Sequence, residues 1–286
     1  APGGKGGNQA VQMSRLGADV SFIGKTGDDS NGRTLTDACR SAGVDLSYML
    51  TDKVTPSSCS VVIVEQKDGC SAQNRIVVYP GANMTIRPDE TEFIKNIIKE
   101  YDMLVLQMEI PTEIDTQLSG YAREAGVPVM LNSAPYSTIP EELLKNLTYI
   151  SPNETEAEEM TGIRIGCDGE NVNLEIVSKA AKKISEMGVP NVLITLGAAG
   201  VFMLEGREEI YEPCVKGITA VDPTAAGDSF VGAFCFAVCR GDSSREALKF
   251  ANRVAAVTVS GKGAMPSLPD MDKLNNFYRD HAEEGA

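Results

Sequence analysis

The run Val221-Asp222-Pro223-Thr224-Ala225-Ala226-Gly227-Asp228-Ser229-Phe230 carries the most legible chemistry in this chain. Small residues and a carboxylate stand where an irregular stretch gives way to an apolar helix over Phe230–Cys239. At such a junction several backbone N–H groups lack intrahelical partners, and the helix dipole adds partial positive charge. That end can hold a phosphate without a basic side chain. Ala225, Ala226 and Gly227 let an anion approach the backbone, and Asp228 stands beside it as a proton acceptor. A base next to an anion hole is what moving a phosphoryl group to a hydroxyl requires. The bland alternative is an acid complementing the dipole of an ordinary first turn.

Four other segments offer chemistry, each with a plain structural reading beside it. Pro2-Gly3-Gly4-Lys5-Gly6-Gly7-Asn8-Gln9 leads into a helix at Ala10–Leu16. It is either a flexible turn or a glycine-lined approach for a ligand whose hydroxyls Lys5 and Asn8 bind. Ser151-Pro152-Asn153-Glu154-Thr155-Glu156 opens a helix, so Asn153 and Glu156 are either a capping pair or neighbours of hydrated Mg²⁺ and phosphates. Thr195-Leu196-Gly197-Ala198-Ala199-Gly200 follows a strand as a tight turn or as the border of an adenosine. Lys262-Gly263-Ala264-Met265-Pro266-Ser267 reads as loop, with oxygens able to ligate a cation.

Two decoys fall away. Gly24-Lys25-Thr26 imitates the end of a P-loop, but that motif needs glycine where Asp19 stands. No G-x-G-x-x-G follows a strand, so nicotinamide chemistry has no support. The single histidine, His281, lies in a polar tail and removes histidine-based triads and multi-histidine metal sites.

Short apolar runs at Val20–Ile23, Leu104–Leu106, Val127–Leu131, Tyr149–Ser151 and Val192–Leu196 predict buried strands. Helical periodicity covers Asn31–Ala42, Glu90–Glu100, Thr112–Ala125 and Leu174–Met187. The alternation predicts an α/β fold with a mostly parallel sheet between helices and ligands beyond the carboxyl ends of its strands. Extended pieces at Val201–Leu204 and Glu209–Tyr211 precede helices at Ala225–Arg240, Ser243–Ser260 and Met271–Glu283. Ser58–Glu65 and Asn74–Tyr79, separated by the polar turn Gln66–Gln73, predict a hairpin serving as a lid or a dimerisation flap.

The 286 residues suffice for one large α/β domain with a small appendage or for two domains, and 42% hydrophobic with 23% charged residues is a globular composition. A net charge of −14 argues against nucleic acid or an anionic membrane as partner. Seven scattered cysteines without a C-x-x-C pair fit a reduced, cytoplasmic setting.

Taken in order, these segments resemble the ribokinase and phosphofructokinase-B family of sugar kinases over nearly the whole chain. The matching pieces are GGKGGNQA, TGDDSNG, LQMEIP, NSAP, SPNETEAEEMTG, ITLGAAGV, VDPTAAGDSF and KGAMPS. The resemblance implies a three-layer α/β/α sandwich with a β lid, residues 57–80, through which two copies pair. It implies ATP-dependent phosphorylation of D-ribose at its 5-hydroxyl, with Asp228 as base and Ala225, Ala226 and Gly227 as anion hole. Gly4, Lys5, Gly6, Gly7, Asn8 and Glu109 would then meet the sugar. Thr195, Gly197, Ala198, Gly200, Gly227 and Asn252 would line the ATP site, with Asn153 and Glu156 organising Mg²⁺ through water. Asp222, Thr224, Thr258, Gly261, Gly263 and Ser267 fall at the ligand positions of a potassium ion. Other sugars such as deoxyribose, a nucleoside such as adenosine, or a non-catalytic sugar-binding role are the alternatives. Departures are Pro223 for a usual Thr, Gly7 for a usual Ala, and Asn252 where some members carry His. The family's first strand and part of its lid are expected ahead of residue 1.

Overall fold

The computed structural model describes residues 1–65, 73–167 and 169–284. The chain opens with α1 (Lys5–Leu16), β1 (Gly24–Gly27), α2 (Ser30–Ser41) and β2 (Met49–Asp52). The antiparallel strands β3 (Cys59–Glu65) and β4 (Gln73–Tyr79) follow, then short helices α3 (Pro88–Thr91) and α4 (Ile94–Ile97). Strands and helices then alternate: β5 (Leu104–Gln107), α5 (Thr112–Ala125), β6 (Val129–Asn132), α6 (Glu141–Asn146) and β7 (Tyr149–Ile150). Next come α7 (Glu154–Thr161), α8 (Leu174–Ser185), β8 (Asn191–Thr195), β9 (Val201–Glu205) and β10 (Glu208–Glu212). The helices α9 (Ala226–Arg240), α10 (Ser244–Val259) and α11 (Met271–Glu284) close the chain.

The central sheet has the order β10-β9-β8-β7-β6-β5. β5 to β8 run parallel, and β9 and β10 add an antiparallel edge. Side chains alternate between two cores, as a strand's period of two requires. Val129 and Leu131 of β6 join α5, α6 and α8 residues such as Leu118, Leu143 and Ile184. Met130, between them, joins Phe234, Leu248 and Val254 of α9 and α10. Burial on both faces explains why these strands read as unbroken apolar runs. The fold is the expected three-layer α/β/α sandwich with a small separate antiparallel sheet.

Three local expectations differ. The ladder expected at Val20–Ile23 forms at Gly24–Gly27, against Met49–Asp52; within the earlier run only Ser21 bridges, to Asp45. The apolar side chains of that run serve packing instead, with Val20 and Phe22 on a third cluster around Val11 and Val44. The helix expected over Glu90–Glu100 is split into Pro88–Thr91 and Ile94–Ile97, and Phe93 between them packs its ring against Tyr48 with centroids 5.1 Å apart and planes tilted by 34°. Most consequential for the site, the first helix begins at Lys5 rather than Ala10.

α1 lies across α9, and Gly232 sets how closely. A Cβ there would meet the Gln9 carbonyl oxygen and the Gln12 Cβ at 3.1 Å each, tighter than ordinary contact. The missing side chain brings the α1 backbone down onto the first turns of α9.

The β3–β4 register pairs Ser60 with Val78 and Val61 with Val77, on opposite faces. Ser60 and Val78 line the main cavity, whereas Val61 and Val77 lie on the other face, about 60% exposed. The expected turn, Gln66–Gln73, lies outside the described residues except for Gln73. One node ties the base of the hairpin to the body. Asp29, which caps α2 through the Gly32 N–H, accepts hydrogen bonds from the Ser57 N–H and hydroxyl, both at 2.8 Å.

β5 pairs only with β6, while β1 and β2 form their own two-stranded sheet. A cavity of about 1650 Å³ runs between the two sheets, past Phe22, Val105 and Ile114, and reaches Glu109 and Asp228. Asp115, on α5, also lines it; the residue is buried, and neither carboxylate oxygen has a partner among the described residues. Burial pushes its carboxyl up to about 8. A folded-state value above the unfolded one of about 3.9 favours the native state at low pH, and that advantage is lost as pH rises through about 8. Asp115→Asn should therefore flatten the decline in urea-unfolding free energy between about pH 4 and 8. Parallel profiles for parent and variant would contradict this.

Candidate active site

The loop before α9 is built by backbone bonds. The Val221 and Asp222 N–H groups both donate to the Val259 carbonyl, at 2.7 and 3.0 Å. The Asp222 carboxylate accepts from the Thr224 N–H at 3.0 Å and the Gly263 N–H at 2.8 Å. Hydrogen bonds from Thr224 and Gly263 hold that carboxyl below its ordinary range. Pro223 supplies only a carbonyl, and Ala226 donates to it at 3.1 Å.

Ala225 caps α9 with φ of 63°, a left-handed conformation that costs a non-glycine residue about 1–2 kcal/mol. The three-residue anion hole expected here is altered in one respect. Ala226 spends its N–H on the tight turn, whereas the Ala225, Gly227 and Asp228 N–H groups have no partner among the described residues. A Cβ built on Gly227 would meet nothing within 4 Å, so an anion can approach this end of the helix.

Asp228 follows directly and is only 8% exposed. Asn8 donates to its Oδ2 at 2.7 Å and Gln9 to its Oδ1 at 3.4 Å. Burial raises the Asp228 pKa; the Lys5 charge and the two amides pull it back. Glu109, in the loop after β5, accepts the Lys5 N–H at 2.8 Å and so caps the start of α1. Burial raises its pKa too, against the Lys5 N–H and the Lys5 charge. Two helix N-termini, α1 and α9, thus open on one cavity with two carboxylates and Lys5 between them. Gly4, Gly6, Gly7 and Asn8 also line that cavity.

The second group of expected residues also assembles. Asn153 caps α7, accepting the Glu156 N–H at 2.8 Å, while Glu156 accepts the Asn153 N–H at 2.9 Å. Burial raises the Glu156 pKa; the Asn153 N–H and the Lys5 charge oppose the rise. Asn153 bridges to Thr195 at the end of β8, next to the turn Gly197–Ala199 that contains Ala198. Gly200, at φ of 99°, admits no side chain: a Cβ would lie 2.2 Å from the Glu212 carbonyl oxygen. Asn252 donates to the Glu212 and Pro213 carbonyls at 3.3 and 3.0 Å. The third group meets through Gly263 and Asp222. Beside them, Gly261 donates to the Thr258 carbonyl and the Ser267 hydroxyl to the Ala264 carbonyl. Among the described residues no group of three or more His, Cys, Asp or Glu side chains is arranged to hold a metal.

The pfkB family carbohydrate kinase model matches residues 1–271. The chain belongs to this family. A ribokinase of Haemophilus influenzae is 37% identical over 290 residues, covering 99% of this chain and 88% of its own length. One from Staphylococcus aureus is 34% identical, covering 96% and 86%. The structure of Arabidopsis thaliana ribokinase complexed with ribose and ATP superposes with a TM-score of 0.85 at 35% identity, covering 96% of this chain and 86% of that one.

The sequence motifs of this carbohydrate kinase contain three amides, Gln9, Gln107 and Asn132, to which sequence reasoning assigned no role. Gln107 donates to Gln9 at 2.6 Å, Gln9 to Asn132 at 3.1 Å, and Asn132 to the Ser151 carbonyl at 2.9 Å. Only Gln9 carries a local signal, as one of the polar residues Asn8, Gln9 and Gln12 in a helix that is otherwise largely small and apolar there. Ala225 yields a test of the loop's strain. Ala225→Gly should raise urea-unfolding free energy by up to about 1 kcal/mol, whereas β-branched Ala225→Val should lower it. A destabilised glycine variant would mean that the left-handed turn carries no strain.

Proposed function

We propose that this chain transfers the γ-phosphoryl group of ATP to the 5-hydroxyl of D-ribose, giving ribose 5-phosphate and ADP. The observation that carries the reading is Asp228, buried and held by two amides one residue after a helix end with open N–H groups. Asp228 takes the proton of the sugar hydroxyl as its oxygen attacks phosphorus, and the Gly227 and Asp228 N–H groups stabilise the charge on the phosphoryl oxygens. Lys5, Asn8 and Glu109 hold sugar hydroxyls, with Gly4 allowing close approach, while the space beside Gly6 and Gly7 is taken by Gln107 and Met265. Thr195, Gly197, Ala198, Gly200 and Asn252 border the nucleotide.

Two cations suit the residues present. Glu156 spends one oxygen on a backbone N–H and is buried enough that its charged form is disfavoured, so a nearby cation would relieve it. Asn153 and Glu156 would hold Mg²⁺ through water, and Mg²⁺ when bound neutralises phosphate charge. The loops joined by Asp222 and Gly263 offer only oxygens, a donor set suited to a hard cation such as K⁺. Ser267 would contribute its hydroxyl, because its carbonyl is taken by the Lys273 ammonium. The exposed Val61 and Val77 face of the β3–β4 lid pairs two copies. Free thiols at Cys39, Cys59, Cys167, Cys214, Cys235 and Cys239 support a reducing, cytoplasmic setting.

The test is ADP release with ribose, deoxyribose or adenosine as acceptor. Release should be greatest with ribose and should fall when sodium replaces potassium. Asp228→Asn should keep ATP binding and lose about 10³-fold or more in turnover. Ribose binding without turnover would replace the kinase reading with a binding role. A preference for another acceptor would displace ribose alone.

A further inference from the structure

Gln9 is fully buried, as few glutamines are. Its side chain sits in a chain of amides from three elements. Gln107, at the end of β5, donates to Gln9 Oε1 at 2.6 Å. The Gln9 NH₂ is shared between Asn132 Oδ1 at 3.1 Å and Asp228 Oδ1 at 3.4 Å. The Asn132 NH₂ ends the chain on the Ser151 carbonyl at 2.9 Å. Donation runs in one direction. Turning Gln9 over would set its NH₂ against that of Gln107 and its carbonyl against the Asp228 carboxylate. Leaving any of these buried groups unpaired is costly, so the packing of β5, β6 and β7 dictates which face of Gln9 meets Asp228.

We propose that Gln9 is a positioning residue for Asp228: the amide chain from Gln107 aims its NH₂ at Oδ1 and fixes the plane of the carboxylate. Asn8 holds the other oxygen, so the two amides together leave one orientation. The charged groups facing Asp228 are Lys5 on α1 and Glu109 after β5; the remaining polar neighbours, Asn8 on α1 and Asn132 on β6, are neutral. Lys5 and the amides therefore oppose the loss of charge that burial imposes on this carboxylate, and removing one donor shifts the balance further toward the protonated form.

The inference rests on Asp228 being the base of a sugar kinase, but its test does not need turnover. The Asp228 carboxyl, labelled with ¹³C and assigned by its absence from Asp228→Asn, is titrated by NMR in the parent, Gln9→Met and Gln107→Met. Gln9→Met should raise the midpoint by about 0.5–1 pH unit, and Gln107→Met should raise it less, because Gln9 is then free to turn. In parallel, the acid limb of kcat/KM for the sugar should move up with the midpoint, with KM for ATP changed less than about twofold. An unmoved midpoint in both variants overturns the proposal, even if Gln9→Met is less stable. A raised midpoint in a protein that turns over no sugar would uphold the positioning and overturn the kinase reading.

Discussion

Everything in this site hangs on how closely α1 packs against α9. Gly232 lets the Gln9 backbone come down on α9. At that separation Asn8 and Gln9 reach Asp228, Lys5 reaches Glu109, and the starts of both helices face the same cavity. Neither helix alone would make a site. α9 by itself is an apolar helix with an open N-terminus, and α1 by itself is a glycine-rich segment with low helix propensity. Together they place the Asp228 carboxylate beside open backbone N–H groups, and the parallel strands deliver Glu109, Asn132, Asn153 and Thr195 to the same end of the sheet.

The electrostatics follow from that packing. Burial disfavours charge on Asp228, Glu109 and Glu156, and each feels the positive charge of Lys5. One ammonium among three carboxylates does not neutralise them. The remaining opposition comes from N–H groups: amides on Asp228, the Lys5 N–H on Glu109, the Asn153 N–H on Glu156. A site of this kind favours positive ligands near its acids and offers an anion the open N–H groups of a helix end, without any basic cluster. The chain's net charge of −14 is compatible with phosphate chemistry for this reason.

Much of this was legible in sequence. Asp228 at the start of an apolar helix, the Asn153–Glu156 capping pair and the β3–β4 hairpin are local patterns, decided by residues a few positions apart. What escaped was decided at long range. Lys5-Gly6-Gly7 reads as a turn because its helical form depends on Glu109, 104 residues away, capping the first turn. The amide chain joins Gln9, Gln107 and Asn132, whose separations of 98 and 123 residues no periodicity reveals. Val20–Ile23 shows the opposite failure: its apolar side chains found the core, but the ladder formed one step later. The N–H of Ala226 looked free until the Pro223 carbonyl turned back to meet it.

The central claim, that the α1–α9 joint sets the reacting groups in line, is tested most directly by a crystal structure with ribose, ADP and a metal-fluoride mimic of the transferring phosphoryl group. The terminal sugar hydroxyl should lie within hydrogen-bond reach of Asp228, with the fluoride against the Gly227 and Asp228 N–H groups and Gln9 still on the carboxylate. A fluoride bound away from the α9 N-terminus, or a sugar whose hydroxyl faces Glu109 instead of Asp228, would contradict it.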